Sequence, residues 1–265
     1  KNIQIAILKA LIAHGKKESG DIYLHNLSSK NPTLARIAAE GIGRTGIPQG
    51  VKPLVERLAR VKDDQILTRA ITFALIQVLN GNSDLAEPLL SQVADLNPLV
   101  RTAVLVALDQ SGHLKNPEAV WLLIKQGGEA SRSTALWILS HHPEWGASLA
   151  QFIQKDPGVL GPDTLGSLAT SAEIANLLGS MASSEGGKSA VQTGAMEAMA
   201  LARLSKVPGS WVEPIARAIA AGENAPGLRV AKSINGPLPA RWTRELETIA
   251  ADENALQPSD WRPLQ

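Results

Sequence analysis

Asp64-Gln65-Ile66-Leu67-Thr68-Arg69-Ala70-Ile71-Thr72-Phe73-Ala74-Leu75-Ile76-Gln77-Val78-Leu79-Asn80 is the stretch whose pattern decides the fold. Ile66, Leu67, Ala70, Ile71, Ala74, Leu75, Val78 and Leu79 recur at steps of three and four, the period of an α-helix. The apolar face is wide, as in a helix packed on both sides. Residues 98–110 repeat the pattern with Leu99, Val100, Ala103, Val104, Ala107 and Leu108, and residues 131–140 repeat it with Ala135, Leu136 and Leu139.

An arginine travels with the pattern. Arg36, Arg69, Arg101 and Arg132 follow one another at 33, 32 and 31 residues (69−36, 101−69, 132−101). Self-similarity of this length predicts helix pairs stacked in a row, each burying its apolar side against the next. The expected fold is all-α, a right-handed α-solenoid of about seven HEAT-like helix pairs. It is expected as a single domain over 1–265, with regular repeats over 1–155 and degenerate repeats plus a C-terminal cap over 156–265.

The punctuation agrees. Asn31-Pro32, Asn97-Pro98 and Asn116-Pro117 place an N-capping asparagine before a proline that has no N–H to leave unpaired. Gly46, Gly81, Gly112 and Gly222 follow apolar stretches, as expected just past helix ends. Outer helices are predicted near 20–28, 49–61, 83–95, 117–126, 144–154, 172–183, 210–221 and 240–251. Inner helices are predicted near 32–44, 64–80, 98–111, 130–141, 160–170, 188–204 and 225–234. Residues 1–14 read as one more inner helix whose partner is missing, so the chain is expected to be a piece of a longer protein. Beyond residue 157 glycine, serine and alanine thicken, a loop is predicted at 183–187, and the tail 257–265 reads as a cap or linker.

Composition narrows function by exclusion. The 265 residues are 44% hydrophobic and 19% charged, with a mean hydropathy of −0.01, as in ordinary globular proteins. Aromatics make up 3%, so the core must be aliphatic. With 26 Lys and Arg against 25 Asp and Glu the net charge is +1, which gives no basic surplus for a nucleic acid. The absence of cysteine rules out thiolate metal sites, disulfides and covalent haem attachment within the chain. No apolar run approaches the roughly 18 residues of a spanning helix, so no membrane insertion is expected.

The motifs that suggest chemistry have structural readings beside the functional ones. The recurrent arginines either bond turn carbonyls and the neighbouring Asn31, Asp64 or Asn97, or line a groove for an acidic partner; the first role is expected, because residues locked to a period usually serve the period. Gly41-Ile42-Gly43-Arg44-Thr45-Gly46 has the spacing of a dinucleotide fingerprint, but it follows a helix and reads as a helix end and turn. Gly186-Gly187-Lys188-Ser189 resembles the tail of a phosphate loop and reads as a turn before a helix. His141-His142-Pro143-Glu144-Trp145 is the densest polar and aromatic cluster. Adjacent histidines point about 100° apart on a helix and make poor co-ligands, so a helix end is expected there. Trp137, His141, His142 and Trp145 are kept as weak binding candidates. Asp63/Asp64 and Asp252/Glu253 fall in turns. No catalytic, metal or cofactor residues are assigned, and no cofactor is implied.

Residues 133–146, Ser-Thr-Ala-Leu-Trp-Ile-Leu-Ser-His-His-Pro-Glu-Trp-Gly, together with Asn97-Pro98-Leu99-Val100-Arg101-Thr102-Ala103 and Ala107-Leu108-Asp109-Gln110, resemble the HEAT-like portion of a group of large bacterial membrane-associated dehydrogenase-like proteins. That group joins a sugar-dehydrogenase-like β-propeller, HEAT-like repeats and a c-type haem domain. The resemblance covers about residues 30–155, and it implies an extracytoplasmic, periplasmic setting. The haem motif and the propeller are absent here, so no active-site residue carries over. The expected function is a non-catalytic scaffold that holds a protein partner or a neighbouring domain of its parent chain. The alternatives are a helical-repeat enzyme similar to alkylpurine DNA glycosylases or bilin lyases, and a spacer between redox domains.

Overall fold

A computed structural model of the chain describes residues 2–15, 17–183, 190–221 and 224–251. Residues 184–187 of the loop predicted at 183–187, the Gly186–Ser189 stretch, Gly222, Asp252/Glu253 and the tail 257–265 lie outside the described residues. The protein is all-α: sixteen α-helices and five short 3-10 turns, with no strand among the described residues. It divides into two compact units, Lys1–His141 and His142–Gln265.

The first unit holds α1 (Asn2–Ala13), α2 (Gly20–Leu27), α3 (Pro32–Thr45), α4 (Val51–Ala59), α5 (Gln65–Gly81), α6 (Ala86–Ser91), α7 (Pro98–Gln110), α8 (Glu118–Gln126) and α9 (Glu129–Ser140). Helices α1, α3, α5, α7 and α9 pack each upon the next in that order. The even-numbered helices flank this row: α2 lies on α3, α4 on α5 and α7, α6 on α7, and α8 on α7 and α9. The core is aliphatic, with Ile42, Leu54, Ile71, Leu75, Leu105 and Leu108 fully buried.

The helix starts follow from the capping residues. The side chains of Asn31, Asp64 and Asn97 accept the backbone N–H of Thr33 (3.0 Å), Leu67 (2.9 Å) and Val100 (3.0 Å). These three caps stand 33 residues apart (64−31, 97−64). Gly46 and Gly112 end their helices in the left-handed region, at φ +64° and +71°.

Gly81 departs from expectation. It is the last residue of α5, and the chain turns at Asn82, whose side-chain amide donates to the Gly46 and Val78 carbonyls.

The predicted helix 83–95 is also broken. A 3-10 turn at Ser83–Leu85, the short α6 and a second 3-10 turn at Val93–Asp95 take its place. Carbonyls that would bond onward along a helix are taken by Arg101 instead. Its Nε donates to Val93 (3.1 Å), and its Nη2 donates to Ala94 (2.7 Å) and Leu96 (3.0 Å).

Gly41 and Gly43 are buried in α3, where they let neighbouring helices approach closely. A Cβ on Gly41 would enter the Tyr23 ring of α2, at 2.5 Å from Cδ1; one on Gly43 would lie 2.9 Å from the Ala74 Cα of α5. The G-x-G-x-x-G spacing is therefore a packing surface running into a left-handed helix stop. Tyr23 is fully buried, and its hydroxyl has no hydrogen-bond partner among the described residues. Burial pushes its phenol pKa up. Removing an unpaired buried hydroxyl recovers its desolvation cost, so Tyr23→Phe is expected to raise stability by about 1 kcal/mol in denaturant melts; a loss of stability would mean that the hydroxyl is bonded.

The second unit holds α10 (Gly146–Lys155), α11 (Pro162–Leu168), α12 (Ala172–Ser183), α13 (Ala190–Leu201), α14 (Gly209–Ala220), α15 (Asn224–Ser233) and α16 (Ala240–Ala251). Two rows form, α10-α12-α14-α16 and α11-α13-α15, joined where α12 meets α13 and α14 meets α15. Two buried tryptophans tie the first row. The Trp211 indole N–H donates to the Ala175 carbonyl (2.8 Å), and that of Trp242 donates to the Val212 carbonyl (2.8 Å). Each tryptophan is the third residue of its helix, and each acceptor is the fourth residue of the helix beneath. Gly179 allows the approach, since a Cβ there would lie 2.6 Å from the Ser210 carbonyl oxygen. Helix α13 stops at Leu201, short of the predicted 204, where Arg203 takes a left-handed backbone at φ +48°.

Candidate interaction face

The four arginines that share a spacing do not share a role, and the register of each helix against its own start explains why. Arg36 and Arg69 stand five residues after the caps Asn31 and Asp64 (36−31, 69−64). Arg101 and Arg132 stand four residues after Asn97 and Gly128 (101−97, 132−128). One residue along a helix turns a side chain by about 100°.

The four-residue position points back into the preceding turn. Arg101 is buried there, and besides its three carbonyls its Nη1 donates to Gln126 Oε1 (2.9 Å). Arg132 donates from Nη2 to the Ile124 carbonyl (3.2 Å), eight residues back, just as Arg101 reaches eight back to Val93. Both donate to carbonyls at helix ends, where backbone acceptors run short of partners; the Val93 carbonyl also accepts the Leu96 backbone N–H (3.3 Å).

The five-residue position points outward. Arg36 and Arg69 are exposed and make no hydrogen bond or ion pair among the described residues. The expected bonds from arginine to Asn31, Asp64 or Asn97 do not form, because those side chains cap their own helices. The turn before α3 is tied instead by Arg57 of α4, which donates to the Leu27 (3.1 Å) and Ser29 (3.4 Å) carbonyls.

Around Arg36 and Arg69 lies a continuous open face. Positions two, five and nine residues after each helix start fall on one side of a helix, because their spacings are three, four and seven. On α3 they are Thr33, Arg36 and Glu40; on α5, Ile66, Arg69 and Phe73; on α7, Leu99, Thr102 and Val106; on α9, Ala130, Ser133 and Trp137. All twelve are exposed or half-exposed, and their helices lie side by side. Thr102 and Ser131 share a hydrogen bond (2.9 Å) that pins α7 to α9.

Ile66 and Leu99, expected in the core, are instead 62% and 65% exposed; Phe73 is 57% and Trp137 42% exposed. The Cβ directions explain the discrepancy: Leu67 and Val100 occupy the buried position, and their apolar predecessors are turned out by one step. Arg44 is not free, since its Nε lies 3.1 Å from Glu40 Oε1.

The histidine–tryptophan stretch resolves into two separate clusters. His141 ends α9, where its Nδ1–H donates to the Trp137 carbonyl (2.8 Å) and its ring lies 4.7 Å from the Trp137 ring, as predicted for a helix end. In the second unit His142 stacks on the buried Trp145, with ring centres 3.8 Å apart, and its Nδ1–H donates to Glu144 Oε1 (2.6 Å). That hydrogen bond, followed by the Glu144 backbone N–H, holds the Glu144 carboxyl below the usual carboxylate range. A carboxylate with a depressed pKa contributes stability that is present above its unfolded pKa and lost as pH falls through the folded value. His142→Ala is therefore expected to move the Glu144 titration, followed by NMR, upward towards the ordinary range, with the backbone N–H still holding it partly down; an unchanged midpoint would contradict this.

Among the described residues no three His, Asp or Glu side chains are placed to hold a metal ion, and no helix is long and apolar enough to cross a membrane. A cleft of about 500 Å³ between α4 and α6 is lined by Val51, Val55, Leu85, Pro88 and Leu89, with Lys52 and Glu56 of α4 also on its wall. No family model matches the chain, and no curated protein matches it.

Ile66 and Leu99 fall in the core when apolar residues are placed there by type, and Phe73, outside the three- and four-residue pattern, carries no signal from that pattern. Counting from each cap would have separated them.

Proposed function

We propose that the chain is a non-catalytic HEAT-like scaffold, a right-handed α-solenoid of about seven helix pairs, whose inner helices hold a protein partner or a neighbouring domain of its parent chain. The observation that carries this reading is the open face of α3, α5, α7 and α9. Four large apolar side chains stand exposed there at matched positions, beside Arg36 and Arg69, which have no partner among the described residues. Contiguous exposed apolar surface of this kind marks interaction sites on soluble proteins, and side-by-side helices presenting equivalent positions are how stacked-repeat proteins build binding surfaces. Within each unit, the packing of inner helix on inner helix (α1-α3-α5-α7-α9 in the first, α11-α13-α15 in the second) supports the solenoid reading. The periplasmic setting and the dehydrogenase-like parent belong to the proposal through the resemblance over about residues 30–155. Trp145, Trp211 and Trp242 are buried, which removes aromatics that a glycosylase-like groove would need.

The test is a photo-reactive amino acid placed singly at Phe73, Leu99 or Glu56 in the protein as its cell makes it. Phe73 and Leu99 are expected to give a discrete cross-linked product, within the parent chain or to one partner, and Glu56 on α4 none. Equal cross-linking from all three positions, or none from Phe73 and Leu99, would contradict the proposal.

A further inference from the structure

We infer that the segment taken by this face is acidic and amphipathic: carboxylates for Arg36 and Arg69 over α3 and α5, and apolar side chains for Ile66, Phe73, Leu99 and Trp137 from α5 to α9. The inference rests on the docking reading above and adds the chemistry of the partner.

Three observations carry it. First, among the described residues Arg36 and Arg69 are the cations of the face that are left unpaired. Arg44 is engaged by Glu40, while Arg101 and Arg132 are spent on helix-end carbonyls. Second, the two stand at the same place on adjacent helices, five residues from caps that are themselves 33 residues apart (64−31). Packed helices lie about 8–10 Å apart, which sets the spacing of the two guanidinium groups at their base. A helical ligand crossing the row presents carboxylates two turns apart at about 10 Å, a matching distance. Third, polarity runs along the row. Helix α3 offers Thr33, Arg36 and the Glu40–Arg44 pair; α5 offers Arg69 between Ile66 and Phe73; α7 and α9 offer Leu99, Val106 and Trp137 with no free cation among these positions.

Each arginine alone is worth little in water, since exposed ion pairs contribute about 0.2–1 kcal/mol. Under a docked apolar segment the same pairs are shielded from solvent, and planar guanidinium groups then make two-pronged bonds to carboxylates. Arginine and large aromatic side chains are the residues that most often dominate binding at such surfaces. A basic segment would meet Arg36 and Arg69 with like charge and is disfavoured.

The experiment is selection of random displayed peptides on the intact chain, with Arg36→Glu/Arg69→Glu and Phe73→Asp/Leu99→Asp as comparison proteins of unchanged helical content. Peptides retained by the wild type are expected to combine Asp or Glu with apolar residues. They are expected to lose about tenfold or more in affinity on the charge-reversed protein, to weaken as salt rises, and to be lost on Phe73→Asp/Leu99→Asp. If the retained peptides are neutral or basic and bind the charge-reversed protein equally, while Phe73→Asp/Leu99→Asp still abolishes them, the docking face stands and the acidic inference falls. If the retained peptides ignore both comparison proteins, or none is retained, the inference falls together with the face.

Discussion

Arg101→Ala is expected to lower the stability of the first unit by about 3 kcal/mol and its melting temperature by about 10 °C, whereas Arg36→Ala and Arg69→Ala change it by less than about 0.5 kcal/mol. Arg101 is buried and donates to the carbonyls of Val93, Ala94 and Leu96 and to Gln126. Hydrogen bonds from a charged donor contribute about 1.5–3 kcal/mol each, and an acceptor left unsatisfied in a buried site adds its own desolvation cost. Water entering the space recovers part of this, which is why the expected loss falls well below the summed bonds. The substitution also frees the two 3-10 turns flanking α6, so amide exchange across residues 91–97 should accelerate before the rest of the unit opens. Arg101→Lys restores the charge but reaches fewer acceptors, and it should recover only part of the loss. If Arg36→Ala and Arg101→Ala destabilised alike in thermal melts, the separation of the arginines into outward and inward pairs would be wrong.

Trp211→Ala is expected to cost the second unit about 3–5 kcal/mol, as for a large aromatic removed from a core. Trp211 is fully buried, and its indole N–H holds α14 to α12 through the Ala175 carbonyl. Trp211→Phe keeps most of the volume and drops the hydrogen bond, so the difference between the two variants weighs packing against the bond. Trp242→Ala should act differently. Trp242 is the buried side chain of α16, joined to α14 at the Val212 carbonyl. Its loss is expected to release α16 locally, seen as rapid exchange over residues 240–251 with the rest of the unit retained. Global unfolding on Trp242→Ala, or a marginal effect of Trp211→Ala, would show that these indoles do not tie the helix row.

Much of the fold was legible in the sequence because its signals are chemical and local. Asn31-Pro32, Asn97-Pro98 and Asp64 mark helix starts, and Gly46 and Gly112 mark stops; before α8 the cap position falls on Pro117, one residue past the expected Asn116. All sixteen helices lie near predicted positions, with boundaries displaced by a few residues. What escaped was decided by contacts distant from the segment concerned. The break over 83–95 is made by a side chain on the next helix, Arg101, and Gly81 is passed over because Asn82 reaches back to Gly46. The open face was half legible. The arginine spacing drew attention to the right helices, but steps measured from arginine to arginine conceal a one-residue slip. Counted from Asn31, Asp64 and Asn97, the slip separates Arg36 and Arg69 from Arg101. The histidine–tryptophan stretch was read correctly as a helix end at His141; the stacking of His142 on Trp145 has no signature in the spacing.

The most direct test uses the absence of native cysteine. Single substitutions Arg36→Cys, Arg69→Cys, Phe73→Cys and Trp137→Cys, with Ala35→Cys and Ala74→Cys as buried counterparts, are labelled with a maleimide in the folded protein. The account predicts that the first four react at rates close to a free thiol and the last two at least about a hundredfold more slowly, as labelling limited by opening of the fold. Slow labelling at Arg36→Cys and Arg69→Cys, or fast labelling at Ala35→Cys and Ala74→Cys, would mean that the helices are turned differently and that no such face exists.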